Sequence, residues 1–275
     1  MLRAASIPTL VLLTFTSACG GGSASTSPSP VPTPAATPSP QASIATPGFT
    51  FTYETAVSSA DRTLIENGVR TAQALFQSRF GRGVAGAVTV DVKATAGPTQ
   101  AQGHAITIST GSTGWRDVGA SARTRTVVHE TFHVLQGEAG WALDPTRWLF
   151  EGAAEYVGYA GAIESGLTSE AAVRACEVEI YFNGGGASTP RLEAISFSSD
   201  SSVGSRYAVG WLAIDRLTGG VGNLSRLKGM WENAGAWDQR FQTTFSTSPS
   251  SFYDTFGAYR DALQRGTSGA CAVAQ

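Results

Sequence analysis

The residues VVHETFHVLQ, at positions 127–136, contain two of the three histidines in this 275-residue chain. Side chains four residues apart lie one above the other on the same face of an α-helix. On such a helix His129 and His133 direct two imidazoles to one side, and the residues around them are largely apolar. The pattern predicts a buried helix that presents two ligands for one metal ion. The alternative is a pair of structural histidines in a hydrophobic core.

Glu130 directly follows the first of these histidines, about 100° around the same helical turn. In that position its carboxylate is too far round to join the two imidazoles as a ligand, but it can reach a water bound to the metal. Two imidazoles are typical ligands of tetrahedral Zn²⁺, and a catalytic zinc site needs a third protein ligand and one open position. The motif therefore predicts a catalytic zinc site with Glu130 as the general base.

A candidate for the third ligand lies in RWLFEGAAEYVGYAG, residues 147–161. Glu151 is separated from His133 by 17 residues, which lets the chain leave one helix, turn, and pack a second helix against the first. Gly152 would allow the two helices to approach closely. We expect one Zn²⁺ per chain, bound by His129, His133 and Glu151.

The combination of HETFH and EGAAEY at this spacing resembles the gluzincins, the thermolysin-like zinc peptidases. It is most similar to the branch that includes the membrane-alanyl-aminopeptidase family and the peptidase MA-like domains. In that branch a WLxEGxAxY segment carries the glutamate ligand, and residues 148–156 match it. The resemblance covers about residues 125–265. It implies a zincin-like fold and a zinc-dependent peptidase that acts on peptides or proteins.

The resemblance also implies roles for two further residues. The related aminopeptidases have a catalytic tyrosine in a Y-x-K-G segment, and Tyr207 lies three residues before Gly210, with Val209 in place of the lysine. Tyr207 would then donate a hydrogen bond to the oxyanion, or alternatively pack between helices. Glu155, one turn after Glu151, either accepts a hydrogen bond from a ligand histidine or is a solvated helix charge.

Hydrophobic periodicity predicts the fold class. Alternating residues predict strands at 49–55, 84–95 and 104–110, and His104, at the start of the last one, is interpreted as structural or solvent-facing. Ser59 and Ser121 are predicted N-caps of the first two helices, and Gly81 is the predicted end of the first. Further helices are expected at 146–165, 168–182, 203–218, 222–234 and 248–264. Strands followed by helices indicate an α+β fold, with a small N-terminal sheet, the zinc-binding helix and a mainly helical C-terminal lobe.

The resemblance further implies how a substrate would lie. In such zincins the peptide extends along an edge strand just before the zinc helix, which predicts residues 104–110 for this role. The related aminopeptidases have a G-x-M-E-N segment here, whose glutamate binds the free amino terminus of the substrate. Residues 98–115 contain no Asp or Glu. An ammonium group left unpaired in a partly dry cleft is costly, so this composition favours an endopeptidase.

The N-terminal segment predicts export. Residues 1–19 have one positive charge, a short apolar run and the ending TSAC, which is typical of a signal peptide and resembles a lipobox with Cys19 as the lipidated residue. Ordinary cleavage after Ala18 is the alternative. Residues 20–48 contain seven prolines and no charged residue, which predicts a disordered tether. Residues 49–275 are then the gluzincin-like domain. We expect an extracytoplasmic protein, anchored by lipid to a bacterial cell envelope or else secreted.

Composition narrows the remaining partners. The net charge is −2 and no basic block is present, so we expect no nucleic-acid partner. Beyond the signal peptide no segment approaches the length of a membrane span, so membrane contact is expected only through the lipid anchor. Cys176 and Cys271 either form a disulfide or remain free thiols. No feature indicates an oligomer. An inactive zincin-like surface binding module is the alternative function.

Overall fold

The computed structural model describes residues 46, 48–141, 147–195, 203–266 and 268–274. The predicted signal peptide, the Cys19 lipidation site and all of the tether except residues 46 and 48 lie outside the described residues. Within the described part, no helix combines the length and the apolar character that crossing a membrane requires.

The fold is α+β, with a four-stranded sheet at the N-terminal side. Its strands are β1 (Phe49–Tyr53), β2 (Val88–Lys93), β3 (Gln100–Gln102) and β4 (Ala105–Ser109), in the order β1-β2-β4-β3. Strands β1, β2 and β4 are parallel, whereas β3 pairs antiparallel with β4. The alternating Val88, Val90 and Val92 bury one face of the central strand, as the period-two pattern predicts.

The edge of the sheet differs from the prediction. The segment 104–110 was expected to be the edge strand, but β4 lies between β2 and β3, and β3 is the edge. Strand β3 consists of Gln100, Ala101 and Gln102. A turn at Gly103, whose φ is +57°, leads from β3 into β4, and the two strands pair through their backbones. Three mostly polar residues carry no alternating hydrophobic pattern, so the sequence gives no signal for this strand.

Ten α-helices are present among the described residues: α1 (Ser59–Phe80), α2 (Thr113–Arg116), α3 (Ala120–Glu138), α4 (Arg147–Glu164), α5 (Glu170–Asn183), α6 (Val203–Thr218), α7 (Gly229–Glu232), α8 (Trp237–Phe245), α9 (Pro249–Asp261) and α10 (Ala270–Ala274). The long predicted helices agree with α4, α5, α6 and α9 to within a few residues at each end. The predicted helix at 222–234 is instead a 3₁₀ segment, Val221–Lys228, followed by α7. Helices α2, α8 and α10 were not predicted.

Both predicted N-caps are wrong. The N-cap of α1 is Ser58, whose side chain accepts a hydrogen bond from the Asp61 backbone, so Ser59 is the first helical residue. The N-cap of α3 is Gly119, and Ser121 lies inside the helix with a buried hydroxyl. Two adjacent serines are equivalent in sequence, and only the backbone path selects one of them. The predicted end of α1 at Gly81 agrees with the structure, since Gly81 has a φ of +73°.

Close helix crossings position α4. A Cβ atom added to Gly152 would lie 2.8 Å from the Gly210 backbone of α6, so Gly152 serves the α4–α6 contact and not the α3–α4 contact that we predicted. Helix α4 approaches α3 through Gly158 and Gly161, where an added Cβ would lie 2.7 Å from the Arg125 carbonyl and 2.8 Å from Val128. Helix α4 is therefore held between the histidine helix and α6.

A disulfide joins the C-terminal segment to this helical lobe. Cys176 on α5 and Cys271 on α10 are bonded, although they are 95 positions apart in the sequence. Cys176 is fully buried. The bond therefore fixes α10 against α5.

Candidate metal centre

The three predicted ligand atoms lie within 3.8 Å of one another, between α3 and α4. His129 Nε2 lies 3.0 Å from His133 Nε2. Glu151 Oε2 lies 3.4 Å from His133 Nε2 and 3.8 Å from His129 Nε2. A tetrahedral Zn²⁺ with bonds of about 2.0–2.1 Å separates neighbouring ligand atoms by about 3.3 Å. The triangle of donor atoms therefore has the size that a tetrahedral zinc site requires.

The two imidazoles are also held in the tautomer that binds a metal. His129 Nδ1 lies 3.1 Å from Glu155 Oε2, and His133 Nδ1 lies 2.8 Å from Gln136 Oε1. Gln136 is oriented by its own amide, which donates to the Phe150 carbonyl at 3.0 Å. Both Nδ1 atoms thus face acceptors and carry the protons, so both Nε2 atoms present lone pairs. Two lone pairs 3.0 Å apart repel each other unless a cation lies between them, so the donor set fits a metal ion.

The surrounding carboxylates favour positive charge at this point. Burial by itself lowers the pKa of His129, but the hydrogen bond with Glu155 and the charges of Glu130 and Glu151 outweigh it, and the pKa is raised. Burial raises the pKa of Glu151, but the contacts with His133 and His129 outweigh it, and the pKa is lowered. Glu151 is therefore an ionised carboxylate, and the site stabilises a cation.

Glu155 is a buried carboxylate that contacts the Nδ1 side of the His129 imidazole. It is 3% exposed, accepts from His129 and also accepts from Arg125 Nη1 at 2.6 Å. Burial raises its pKa, and the Arg125 charge, together with the His129 contacts, lowers it further than burial raises it. Of the two predicted positions for Glu155, the structure agrees with a hydrogen-bond acceptor of His129 and not with a solvated charge.

Glu130 faces the open side of the site. Its carboxylate lies within 4.8 Å of both ligand imidazoles, and the residue is 7% exposed. Within the described ranges, no hydrogen bond or ion pair engages this carboxylate. It is therefore available to a water or a substrate group that approaches the metal position.

Tyr207 reaches the same point from α6. Its hydroxyl donates to Glu151 Oε2 at 3.4 Å, and its ring lies across that of His129 with a centroid separation of 5.8 Å. Burial, reinforced by the charge of Glu151, raises its pKa far above the usual range. Tyr207 is therefore a protonated hydrogen-bond donor that points into the site, although Val209 departs from the lysine of the resembled segment.

The site opens into a cleft of about 600 Å³, and the edge strand forms one wall. The cleft is lined by Thr99, Gln100, Ala101, Gln102, Gly103, His129, Glu130, His133, Gly137, Trp141, Arg147, Phe150, Glu151 and Tyr207. Residues of the edge strand and the candidate ligands thus line the same cleft.

Three residues of the site were not predicted from the sequence, although each lies three or four positions from a predicted ligand. Gln136 lies three residues after His133, Arg125 lies four before His129, and Arg147 lies four before Glu151. These spacings place each of them on the same helix face as a ligand. His104 lies outside the cleft lining, where its Nε2 is 3.2 Å from Glu138 Oε1 and its side chain is half exposed. That position agrees with the prediction that His104 is structural or solvent-facing.

A search of protein-family models, curated proteins and solved structures gave no match to this chain. The resemblance to gluzincins therefore remains a prediction from the motif and its spacing.

Proposed function

We propose that this chain is a zinc metallopeptidase of the gluzincin type that cleaves internal peptide bonds. One observation carries the proposal. The Nε2 atoms of His129 and His133 and an oxygen of Glu151 converge at zinc-site distances in a cleft, beside Glu130, whose carboxylate has no partner among the described residues. A structural zinc site would be closed by a fourth protein ligand and would have no use for that carboxylate.

Each residue then has a chemical role. A bound Zn²⁺ supplies Lewis-acid activation of the attacking water and of the scissile carbonyl. Glu130 takes the proton from the water and later delivers it to the leaving nitrogen. Tyr207 donates a hydrogen bond to the developing oxyanion, and comparable donors are worth about 3–4 kcal/mol. Glu155 and Gln136 hold the two imidazoles in the ligand tautomer.

The cleft supports an endopeptidase. Among the described residues strand β3 is an edge of the sheet and its residues line the cleft, and an extended peptide can pair with a sheet edge through its backbone. Among the lining residues that the structure describes, the carboxylates are Glu130 and Glu151. Glu155 is buried and occupied by Arg125 and His129, so it does not serve a substrate amine. A free amino terminus therefore has no dedicated carboxylate here.

We further propose that the protein acts outside the cytoplasm. The disulfide between Cys176 and Cys271 supports this location, because such bonds persist in oxidising compartments. The export signal and the lipidation of Cys19 remain predictions from the sequence.

Digestion of a peptide library by the purified protein, with and without a chelator, tests the proposal. We expect cleavage that a chelator abolishes and that added Zn²⁺ restores. A peptide and its N-acetylated twin should be cut at similar rates. Products released one residue at a time, with acetylated peptides left intact, would indicate an aminopeptidase. Zinc binding without cleavage of any peptide would instead favour the inactive binding module.

A further inference from the structure

Arg147 is a cation in the cleft that the proposed chemistry does not use. It is the first residue of α4, one turn before Glu151, so its side chain lies on the ligand face of the helix. The side chain lines the cleft and is 53% exposed. Its nearest charged contact among the described residues is Glu151 Oε1 at 3.9 Å, which is longer than a hydrogen bond. The guanidinium therefore has donors available to a ligand.

The ion pair with Glu151 does not account for this arginine. The two atoms are 3.9 Å apart and the arginine is half exposed, so this pair contributes little to stability. Glu151 Oε2, the oxygen that faces the histidines, is already in contact with Tyr207, and Arg147 approaches the other oxygen. Arg147 is thus not needed to place the ligand oxygen.

The charge balance of the cleft points to an anionic ligand group. Within the described lining, Arg147 is the only Lys or Arg, and Glu130 and Glu151 are the only acids. A divalent cation held by neutral imidazoles offsets the two carboxylates, which leaves the charge of Arg147 without a counterpart. Trp141 and Phe150 line the same cleft and are little exposed, so a peptide that fills the cleft against them would exclude water from a charge pair with Arg147 and strengthen it.

We propose that Arg147 binds a carboxylate of the peptide substrate and makes this cleft selective for anionic peptides. This inference rests on the proposed peptidase function. A guanidinium presents a planar fork that pairs with both oxygens of a carboxylate, which an ammonium or an amide does not. The carboxylate comes either from an Asp or Glu side chain near the scissile bond or from the C-terminus of a short peptide.

Quenched fluorescent peptides distinguish these two sources. At each position around the cleaved bond, a peptide with Asp is compared with one that has Asn, and a peptide with Glu is compared with one that has Gln. Every peptide is made in two forms, with a free and with an amidated C-terminus. The wild type should show a kcat/KM about tenfold or more higher for the carboxylate member of a pair, as expected for a hydrogen-bonded charge pair. A preference that follows the residue identifies a side chain, and one that follows amidation identifies the C-terminus.

Arg147→Gln should bring the ratio of the carboxylate peptide to its neutral partner close to one, and Arg147→Lys should leave an intermediate ratio. Arg116→Gln, at an exposed arginine outside the cleft lining, should keep the wild-type ratio. Zinc content and thermal melting of each variant show that the site and the fold persist. Equal kcat/KM for carboxylate and neutral peptides in the wild type, or an unchanged ratio in Arg147→Gln, would overturn the inference.

A binding measurement separates this inference from the proposed function. Labelled peptides are titrated with Glu130→Gln and with Glu130→Gln/Arg147→Gln, and fluorescence anisotropy reports the affinity. Tighter binding of carboxylate peptides that is lost in the double variant supports the role of Arg147 even if the wild type cleaves nothing. If the two variants bind the carboxylate peptides with equal affinity, the role of Arg147 is refuted even if the wild type is an active peptidase.

Discussion

Substitution of Gln136 tests the proposed metal centre through a hydrogen bond to one of its imidazoles. Gln136 is fully buried and makes two hydrogen bonds, one that accepts from His133 Nδ1 and one that donates to the Phe150 carbonyl. Gln136→Leu keeps the approximate volume but leaves both partners unpaired. Each buried polar group left without a partner costs about 1–3 kcal/mol, so we expect a loss of about 2–6 kcal/mol in the free energy of unfolding.

Zinc affinity should fall with the same substitution. His133 would lose the acceptor that fixes its tautomer, and the removal of such acceptors typically lowers metal affinity about 10–100-fold. Gln136→Glu separates the two effects, because a carboxylate still accepts from His133 but cannot donate to Phe150. We expect this variant to lose stability while it retains zinc affinity.

Chelator competition gives the zinc affinity, and denaturant titration gives the free energy of unfolding. Thr131→Val is the matched control, since Thr131 is buried on the same helix and its hydroxyl, within the part of the chain that the structure describes, donates to the Val127 carbonyl alone. It should change stability slightly and leave zinc affinity unchanged. Wild-type zinc affinity in Gln136→Leu would refute the role of Gln136 in orienting the ligand.

Three further outcomes follow from the structure. Tyr207→Phe should lower kcat more than it changes KM, because an oxyanion contact forms in the transition state, and an unchanged kcat would limit Tyr207 to packing. Burial, with the charge of Glu155, raises the pKa of Glu177 to about 8, so stability falls as the pH rises from about 4.5 towards 8. Glu177→Gln should therefore be more stable than the wild type at pH 7, by on the order of 3 kcal/mol, with no advantage at pH 4 in denaturant titrations. Cys271→Ser should lower the free energy of unfolding by about 2–4 kcal/mol without loss of zinc, and equal stability of the two proteins would contradict a stabilising disulfide.

The sequence predicts the local part of the metal centre well. The four-residue spacing of His129 and His133 has one geometric meaning on a helix, and the structure brings both imidazoles together as expected. The 17-residue gap to Glu151 is long enough for the chain to turn and begin a second helix, and in the structure α4 brings Glu151 to the histidines. The relation between the two histidines depends on helical geometry alone, so it can be inferred from spacing. The approach of Glu151 also depends on how α4 packs against α3.

Long-range relations were less accessible. Strand β3 owes its existence to backbone pairing with β4, and its glutamines carry no hydrophobic signal. We predicted that Gly152 brings α3 and α4 together, and this was wrong, because its close neighbour is the Gly210 backbone of α6 and the sequence does not say which helix approaches a glycine. Gln136 and Arg147 had a readable signal, since both lie on a ligand face, yet the hydrogen bond from Gln136 to the Phe150 carbonyl follows only from the packing of α3 against α4.

The most direct measurement of the central claim is the zinc content and the peptide hydrolysis rate of Glu130→Gln beside those of the wild type. The amide is nearly isosteric with the carboxylate but does not accept the proton. We predict about one zinc per chain in both proteins and hydrolysis in the wild type alone. Hydrolysis by Glu130→Gln at the wild-type rate, or a wild-type protein that binds no zinc, would contradict the account.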